Sequence, residues 1–171
     1  MQTKQLEELL LQSLEHEMGG VKVYETAIAC AVNEDLKKEW TKYLAQTRKH
    51  VQVMERLCAS FGLDIEKPTP GRKILAELGQ SLVNAMQTAA KESPDAAQLV
   101  ACECVVLAET KDHLDWELIG QCAKALKGDE AKALKDAYDE VEDEEDEHVY
   151  HSKGWCRELW LESLGLKAVL P

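Results

Sequence analysis

The sequence predicts an all-α protein, built as an antiparallel four-helix bundle with one additional short helix. Residues that favour helices, namely Ala, Leu, Glu, Lys and Gln, are abundant, whereas the 171-residue chain has four prolines and few aromatic residues. Four long helical segments can be recognised, and the connection between the second and the third is the longest. Two antiparallel hairpins joined by a long crossover form such a bundle. The length predicts one domain, residues 1–171.

The first hairpin is predicted from two long amphipathic segments. Helix α1 is expected over residues 3–32 and helix α2 over 34–61, with Asn33 as the N-cap of α2 and Gly62 at its end. The stretch GLDIEKPTPG that follows places two prolines between glycines, so it interrupts the helical pattern. This stretch therefore begins the long crossover.

The crossover and the second hairpin supply three more helices. Apolar residues at helical spacing predict a shorter helix, α3, over 72–91. In the stretch ESPD, a serine cap is followed by a proline at the first helical position, which predicts α4 over 94–127. Gly128 interrupts the pattern, and α5 is expected over 130–162.

The composition limits the classes of partner. A net charge of −12 argues against binding to nucleic acid and to anionic membrane surfaces. The first residues lack the pattern of a signal peptide, and no apolar run approaches the ~20 residues that a membrane helix needs. Six cysteines without a CxxC motif favour reduced, buried thiols over disulfides. These observations predict a cytoplasmic protein.

Each long helix carries at least one ionisable residue on its apolar stripe. With an advance of ~100° per residue, Glu17 lies at the centre of the α1 stripe and His50 at the centre of the α2 stripe. On α4, Glu109 and His113 share the stripe with apolar residues. One buried histidine is ordinarily a hydrogen-bonded core residue, but four helices that each offer Glu or His require a common explanation.

The stretch EEDEHVYH, residues 144–151 of α5, divides into a solvent-facing side and an inward-facing side. His148 shares a stripe with apolar residues before and after it. Glu144 falls ~40° to one side of His148 and Glu145 ~60° to the other, whereas the remaining acidic residues point away. The pattern therefore predicts His148 with either Glu144 or Glu145 in the interior.

A metal ion explains this set of residues better than isolated buried charges do. A buried charge is costly unless it is paired. A divalent cation compensates several carboxylates at once, and neutral imidazoles complete its ligand shell. An internal repeat supports a common site, because EMGGVKVYE (17–25) aligns with ETKDHLDWE (109–117) and QTRKHV (46–51) aligns with EEDEHV (144–149).

These residues resemble the metal site of the ferritin-like di-iron superfamily, which includes rubrerythrins and bacterioferritins. In that family two helices each contribute one Glu, and two others each contribute a Glu-x-x-His motif. The resemblance covers the four long helices and implies a ferritin-like fold. The ligands it implies are Glu17, His50, Glu109, Glu145 and His148, with Glu144 as a competitor for the role of Glu145 and His113 as an additional ligand or a hydrogen-bonding neighbour.

The sequence departs from the family pattern on α2. Thr47 stands three residues before His50, where the family has a carboxylate that bridges two metal ions. Without it, a single ion, an asymmetric pair and an empty polar core all remain open.

The resemblance implies a metal-binding protein that holds iron, with manganese or zinc as alternatives, and a redox role towards peroxide or oxygen in stress protection. The alternative is a non-catalytic helical-bundle oligomer or interaction protein with a degenerate or zinc-bound site. Four apolar residues on the far side of α4 predict a cover, either α3 or a second subunit, and a homodimer is favoured. They are Val100, Leu107, Leu114 and Leu118.

Overall fold

The protein consists of helices and short connections throughout the part that the structure, a computed structural model, describes, which is residues 3–170. The all-α class predicted from the sequence is confirmed. The five helices are α1 (Thr3–Cys30), α2 (Glu34–Ser60), α3 (Pro70–Ala89), α4 (Pro94–Ala125) and α5 (Asp129–Ser163).

Local hydrogen bonds explain where the observed helices depart from the predicted bounds. The Oε1 atom of Gln98 accepts the backbone N–H groups of Val32 and Asn33 at 2.7 and 2.6 Å, so α1 ends before these residues. Helix α3 begins earlier than predicted, because the Thr69 side chain caps it and Pro70 occupies its first turn.

The four long helices contact one another in a ring, and α3 lies outside it. Helix α1 contacts α2 and α4, and α5 contacts the same two helices. Helix α3 lies against α1 and α4, which partly answers the prediction of a covered α4. Val100 packs against the core, whereas Leu107, Leu114 and Leu118 stay 61%, 46% and 42% exposed.

A buried polar layer divides the apolar core into two clusters. The first cluster includes Tyr24, Trp40 and Trp155, and the second includes Leu10 and Trp116. Each long helix contributes to both clusters and passes through the polar layer between them. We use the term polar layer for seven buried residues, which are Glu17, Thr47, His50, Glu109, Asp112, Glu145 and His148.

The helices between residues 3 and 170 do not include one that is long and apolar enough to cross a membrane. The six cysteines all lie in this range and are free thiols, four of them buried. The structure thus agrees with the prediction of unpaired thiols.

Candidate metal centre

Six ionisable side chains converge in the polar layer from all four long helices. None is more than 4% exposed. The spacing of three residues within α4 and within α5 places two side chains of each helix on one face. The six are Glu17 of α1, His50 of α2, Glu109 and Asp112 of α4, and Glu145 and His148 of α5.

The outer nitrogen of each histidine is fixed by an acceptor at the edge of the layer. The Nε2 atom of His50 lies 2.8 Å from Oε2 of Glu144, and Nε2 of His148 lies 3.1 Å from Oε1 of Gln46. Because these oxygens accept hydrogen bonds, each Nε2 carries the proton. In the neutral ring, the lone pair of Nδ1 then faces the centre of the layer.

The two inward-facing nitrogens meet the same carboxylate. The Oε1 atom of Glu145 lies 2.9 Å from Nδ1 of His50 and 3.5 Å from Nδ1 of His148. Two further carboxylates stand close, with Oε2 of Glu109 3.5 Å from His148 Nδ1 and Oε1 of Glu17 3.8 Å from His50 Nδ1. Ligand atoms ~2.1 Å from one ion are ~3.0 Å apart in octahedral and ~3.4 Å apart in tetrahedral coordination, so these spacings suit a shared cation.

Two overlapping groups of ligand atoms result. One consists of His50, Glu145 and His148, and the other of Glu17, Asp112 and Glu145, and within each group the ligand atoms lie within 4.8 Å of one another. Within residues 3–170, both Nδ1 atoms and both oxygens of Glu145 have no aligned hydrogen-bond partner. Buried polar atoms are ordinarily paired, so these unpaired atoms are candidate metal ligands.

The charges of the histidine group reinforce one another. Burial raises the pKa of Glu145, but His148 and His50 outweigh burial and lower it to about 2. Burial lowers the pKa of His148, yet Glu109 and Glu145 raise it to about 10. Burial also lowers the pKa of His50, and its carboxylate neighbours raise it to about 8. Without a cation, protons on the two imidazoles therefore compensate the charges of Glu145 and the carboxylates around it.

The carboxylates of the second group repel one another. Burial and the charge of Glu145 raise the pKa of Glu17 to about 8. Burial, followed by Glu17 and Glu145, raises the pKa of Asp112 well above its ordinary value. A divalent cation would replace the protons that these side chains otherwise hold.

Aromatic side chains support the polar layer. Trp116 donates its Nε1–H to Oε1 of Glu17 at 2.8 Å. The ring of Tyr43 lies 4.2 Å from that of His148, and its hydroxyl donates to Glu39, which also accepts from Trp155 Nε1 at 2.6 Å. These contacts hold ligands and surrounding rings in fixed positions.

The structure places five of the seven predicted site residues together and two outside. The five are Glu17, His50, Glu109, Glu145 and His148. Glu144 lies at the rim and bonds the outer face of His50, so Glu145 is the inner glutamate.

The other residue outside is His113, whose side chain is 23% exposed and whose Nε2 lies 2.8 Å from Oδ1 of Asp146. Helix α4 turns the neighbouring Asp112 inward instead, where its side chain is 4% exposed. The sequence held one signal for Asp112, since it follows Glu109 at the spacing that separates Glu145 from His148.

The structure also shows the surroundings of Thr47, which stands where the resembled family has a carboxylate. Its side chain is buried, and its hydroxyl donates to the backbone oxygen of Tyr43 at 2.9 Å. Thr47 therefore satisfies its own polar group within α2 rather than facing the ligand atoms.

Comparison of the chain with protein-family models, with curated proteins and with solved structures finds no match.

Proposed function

We propose that the protein is a ferritin-like metal-binding protein in which α1, α2, α4 and α5 form an antiparallel four-helix bundle. The ring of helix contacts supports this arrangement. The contacts between α2 and α5 also support it, because they run in opposite directions along the two helices. Glu39, early in α2, bonds Trp155, late in α5, whereas Arg56, late in α2, bonds the earlier Glu140. In such bundles, facing helices build metal sites from inward carboxylates and histidines.

The observation that carries the proposal is the position of Glu145 between two imidazoles. The Nδ1 atoms of His50 and His148 face its Oε1 at 2.9 and 3.5 Å, while their Nε2 protons are bonded elsewhere. Two histidines and one carboxylate with open positions are typical of non-haem iron. We therefore assign iron as the cofactor, with manganese or zinc as alternatives.

The proposed activity is a redox reaction with peroxide or oxygen. Bound iron would supply the electron-transfer chemistry. The chain itself excludes water through the apolar clusters on both sides of the polar layer. Glu144 and Gln46 hold the imidazoles in one tautomer, and Trp116 fixes the orientation of Glu17. A role in protection against oxidative stress follows as part of the same proposal, in a cytoplasmic protein.

Metal content and the reaction of the bound ferrous iron with peroxide test this proposal together. Purified protein without a tag is loaded anaerobically with ferrous iron, and the metal per chain is measured by elemental mass spectrometry. We expect bound iron, an optical change on addition of peroxide, and loss of both in Glu145→Gln. The matched control is Glu147→Gln, which changes a surface partner of Lys42 in the same acidic run. Equal iron content in Glu145→Gln and the native chain would refute the assignment.

A second candidate is a non-catalytic homodimer, with or without structural zinc. Three leucines of α4 support it, because Leu107, Leu114 and Leu118 remain exposed on one face. Sedimentation velocity measures the state of assembly. A dimer that Leu114→Lys dissociates, and that Leu166→Lys in the exposed C-terminal segment leaves intact, would support this interface. Absence of metal binding together with a stable dimer would favour this function over the redox one.

A further inference from the structure

The two halves of the polar layer differ at one pair of equivalent positions. In the internal repeat, Gly20 corresponds to Asp112 and Thr47 corresponds to Glu145. Gly20 and Thr47 face each other, since a Cβ atom on Gly20 would lie 3.3 Å from Cγ2 of Thr47. The hydroxyl of Thr47 is already bonded to the backbone of Tyr43. One half thus presents a methyl group where the other presents two carboxylates.

This difference separates the donor atoms into two kinds. The group of His50, His148 and Glu145 offers two imidazole nitrogens and carboxylate oxygen, whereas Glu17, Asp112 and Glu145 offer oxygen alone. Imidazole suits iron and zinc, and carboxylate suits manganese. Ferrous iron binds more tightly than manganese(II) at sites of either kind, and nitrogen donors increase this preference, so one equivalent of iron is expected to occupy the histidine group first and to leave manganese in the oxygen group.

The oxygen group is more than a cluster of acidic residues. Oε2 of Glu17, Oδ1 of Asp112 and both oxygens of Glu145 are buried and lack a hydrogen-bond partner in the described chain. The three side chains are 0%, 4% and 1% exposed. Three carboxylates brought together in the interior repel one another unless they hold protons or a cation lies between them.

We propose that the polar layer holds an unequal pair of ions, with iron between His50, His148 and Glu145 and manganese(II) between Glu17, Asp112 and Glu145. Glu145 bridges the two ions. Asp112 supplies from α4 the carboxylate that Thr47 does not supply from α2. This inference rests on the proposed metal binding and specifies which ion each position takes.

The experiment adds the two metals to the 171-residue protein one after the other. The metal-free protein is saturated with manganese(II) under anaerobic conditions, and one equivalent of ferrous iron is then added. We expect about one manganese and about one iron per chain, with iron displacing manganese from the histidine position alone. Anomalous diffraction from crystals, collected at the iron and manganese absorption edges, locates each element.

Two isosteric variants test whether the manganese and iron positions have different ligands. Asp112→Asn should weaken manganese binding at least about 100-fold while about one iron per chain remains. Asp115→Asn is the control, because Asp115 is another buried carboxylate of α4 that accepts from Lys111 and belongs to neither group of ligand atoms. Circular dichroism establishes that both variants fold, and the diffraction measurement on the native chain does not depend on either.

The outcomes distinguish this inference from the proposed function. Iron located at both positions, manganese located between the histidines, or unchanged manganese binding in Asp112→Asn would overturn the unequal pair while leaving metal binding intact. A native protein that binds neither metal under any loading order would overturn the proposed function as well.

Discussion

The Oε2 atom of Glu144 lies 2.8 Å from Nε2 of His50, on the side of the imidazole that faces away from the ligand groups. The equivalent contact in the other half joins Gln46 to His148 at 3.1 Å. One histidine therefore has an anionic outer partner and the other a neutral one. An outer carboxylate fixes the tautomer and raises the basicity of an imidazole ligand.

Glu144 is accordingly predicted to tune metal affinity without touching the metal. We expect Glu144→Gln to weaken ferrous iron binding by ~10-fold and Glu144→Ala by ~100-fold, because the second change also frees the His50 ring. Anaerobic titration followed by absorbance measures the affinity. The control is Glu140→Gln, because Glu140 lies on the same helix as Glu144 but is an exposed carboxylate that bonds Arg56 of α2. Native affinity in Glu144→Ala would contradict this role.

The metal-free protein is predicted to lose stability as the pH rises. The pKa values of His50 and His148 are raised to about 8 and about 10. The stability that their protonation contributes is therefore fully present below the ordinary value of 6.5 and is lost as the pH rises through about 8 and about 10. Glu17, with its pKa raised to about 8, acts in the same direction because its folded form favours the proton. Glu145 has the opposite effect on stability, but only at acid pH, since its contribution is lost as the pH falls towards about 2.

Urea denaturation at several pH values measures this effect. The free energy of unfolding should decline from about pH 6 to about pH 10 in the metal-free protein. Saturating metal should reduce the decline, because the ion replaces protons as the compensating charge. In Glu17→Gln, the part of the decline that is due to Glu17 should disappear. Stability that rises over this interval would show that the buried groups are not protonated as described.

Restoring a carboxylate at position 47 is predicted to strengthen and equalise the site. In Thr47→Glu, the introduced carboxylate would project beside Gly20, which has no side chain to oppose it. We expect higher iron affinity and about two irons per chain in place of a mixed pair. Thr47→Val is the control, because it removes the hydroxyl that bonds Tyr43 without adding a ligand. Elemental mass spectrometry measures the iron content. Equal iron content in the two variants would argue against this geometry.

Two helical glycines are predicted to respond to alanine with opposite signs. A Cβ atom on Gly120 would lie 2.8 Å from Cε2 of Tyr138, so Gly120→Ala should destabilise the protein by about 1–3 kcal/mol. Around Gly154 no atom beyond its chain neighbours and the adjoining backbone of its own helix lies within 4 Å of the added carbon, and Gly154→Ala should stabilise by about 0.5–1 kcal/mol. Thermal denaturation of both variants measures the difference, and effects of the same sign would contradict the close contact at Tyr138.

The helical pattern of the sequence was enough to predict most of the helices and part of the candidate metal centre. Asn33 and Ser93 were recognisable as caps because capping depends on neighbouring residues alone. The choice between Glu144 and Glu145 was not accessible, since both lie within ~60° of His148 on a regular helix. Likewise, Asp112 and His113 lie ~60° and ~40° to opposite sides of Glu109 on a regular helix, and sequence periodicity does not record which neighbour a helix meets, so the inward position of Asp112 was not accessible either.

The polar layer draws its ligand atoms unevenly from two stretches of chain separated by the crossover. Residues before the crossover give Glu17 and His50, and residues after it give Asp112, Glu145 and His148. Neither stretch alone completes either group of ligand atoms. Metal uptake would therefore report whether two separately expressed fragments, divided in the loop between α2 and α3, have reassembled, which makes the chain a candidate for a split-protein sensor.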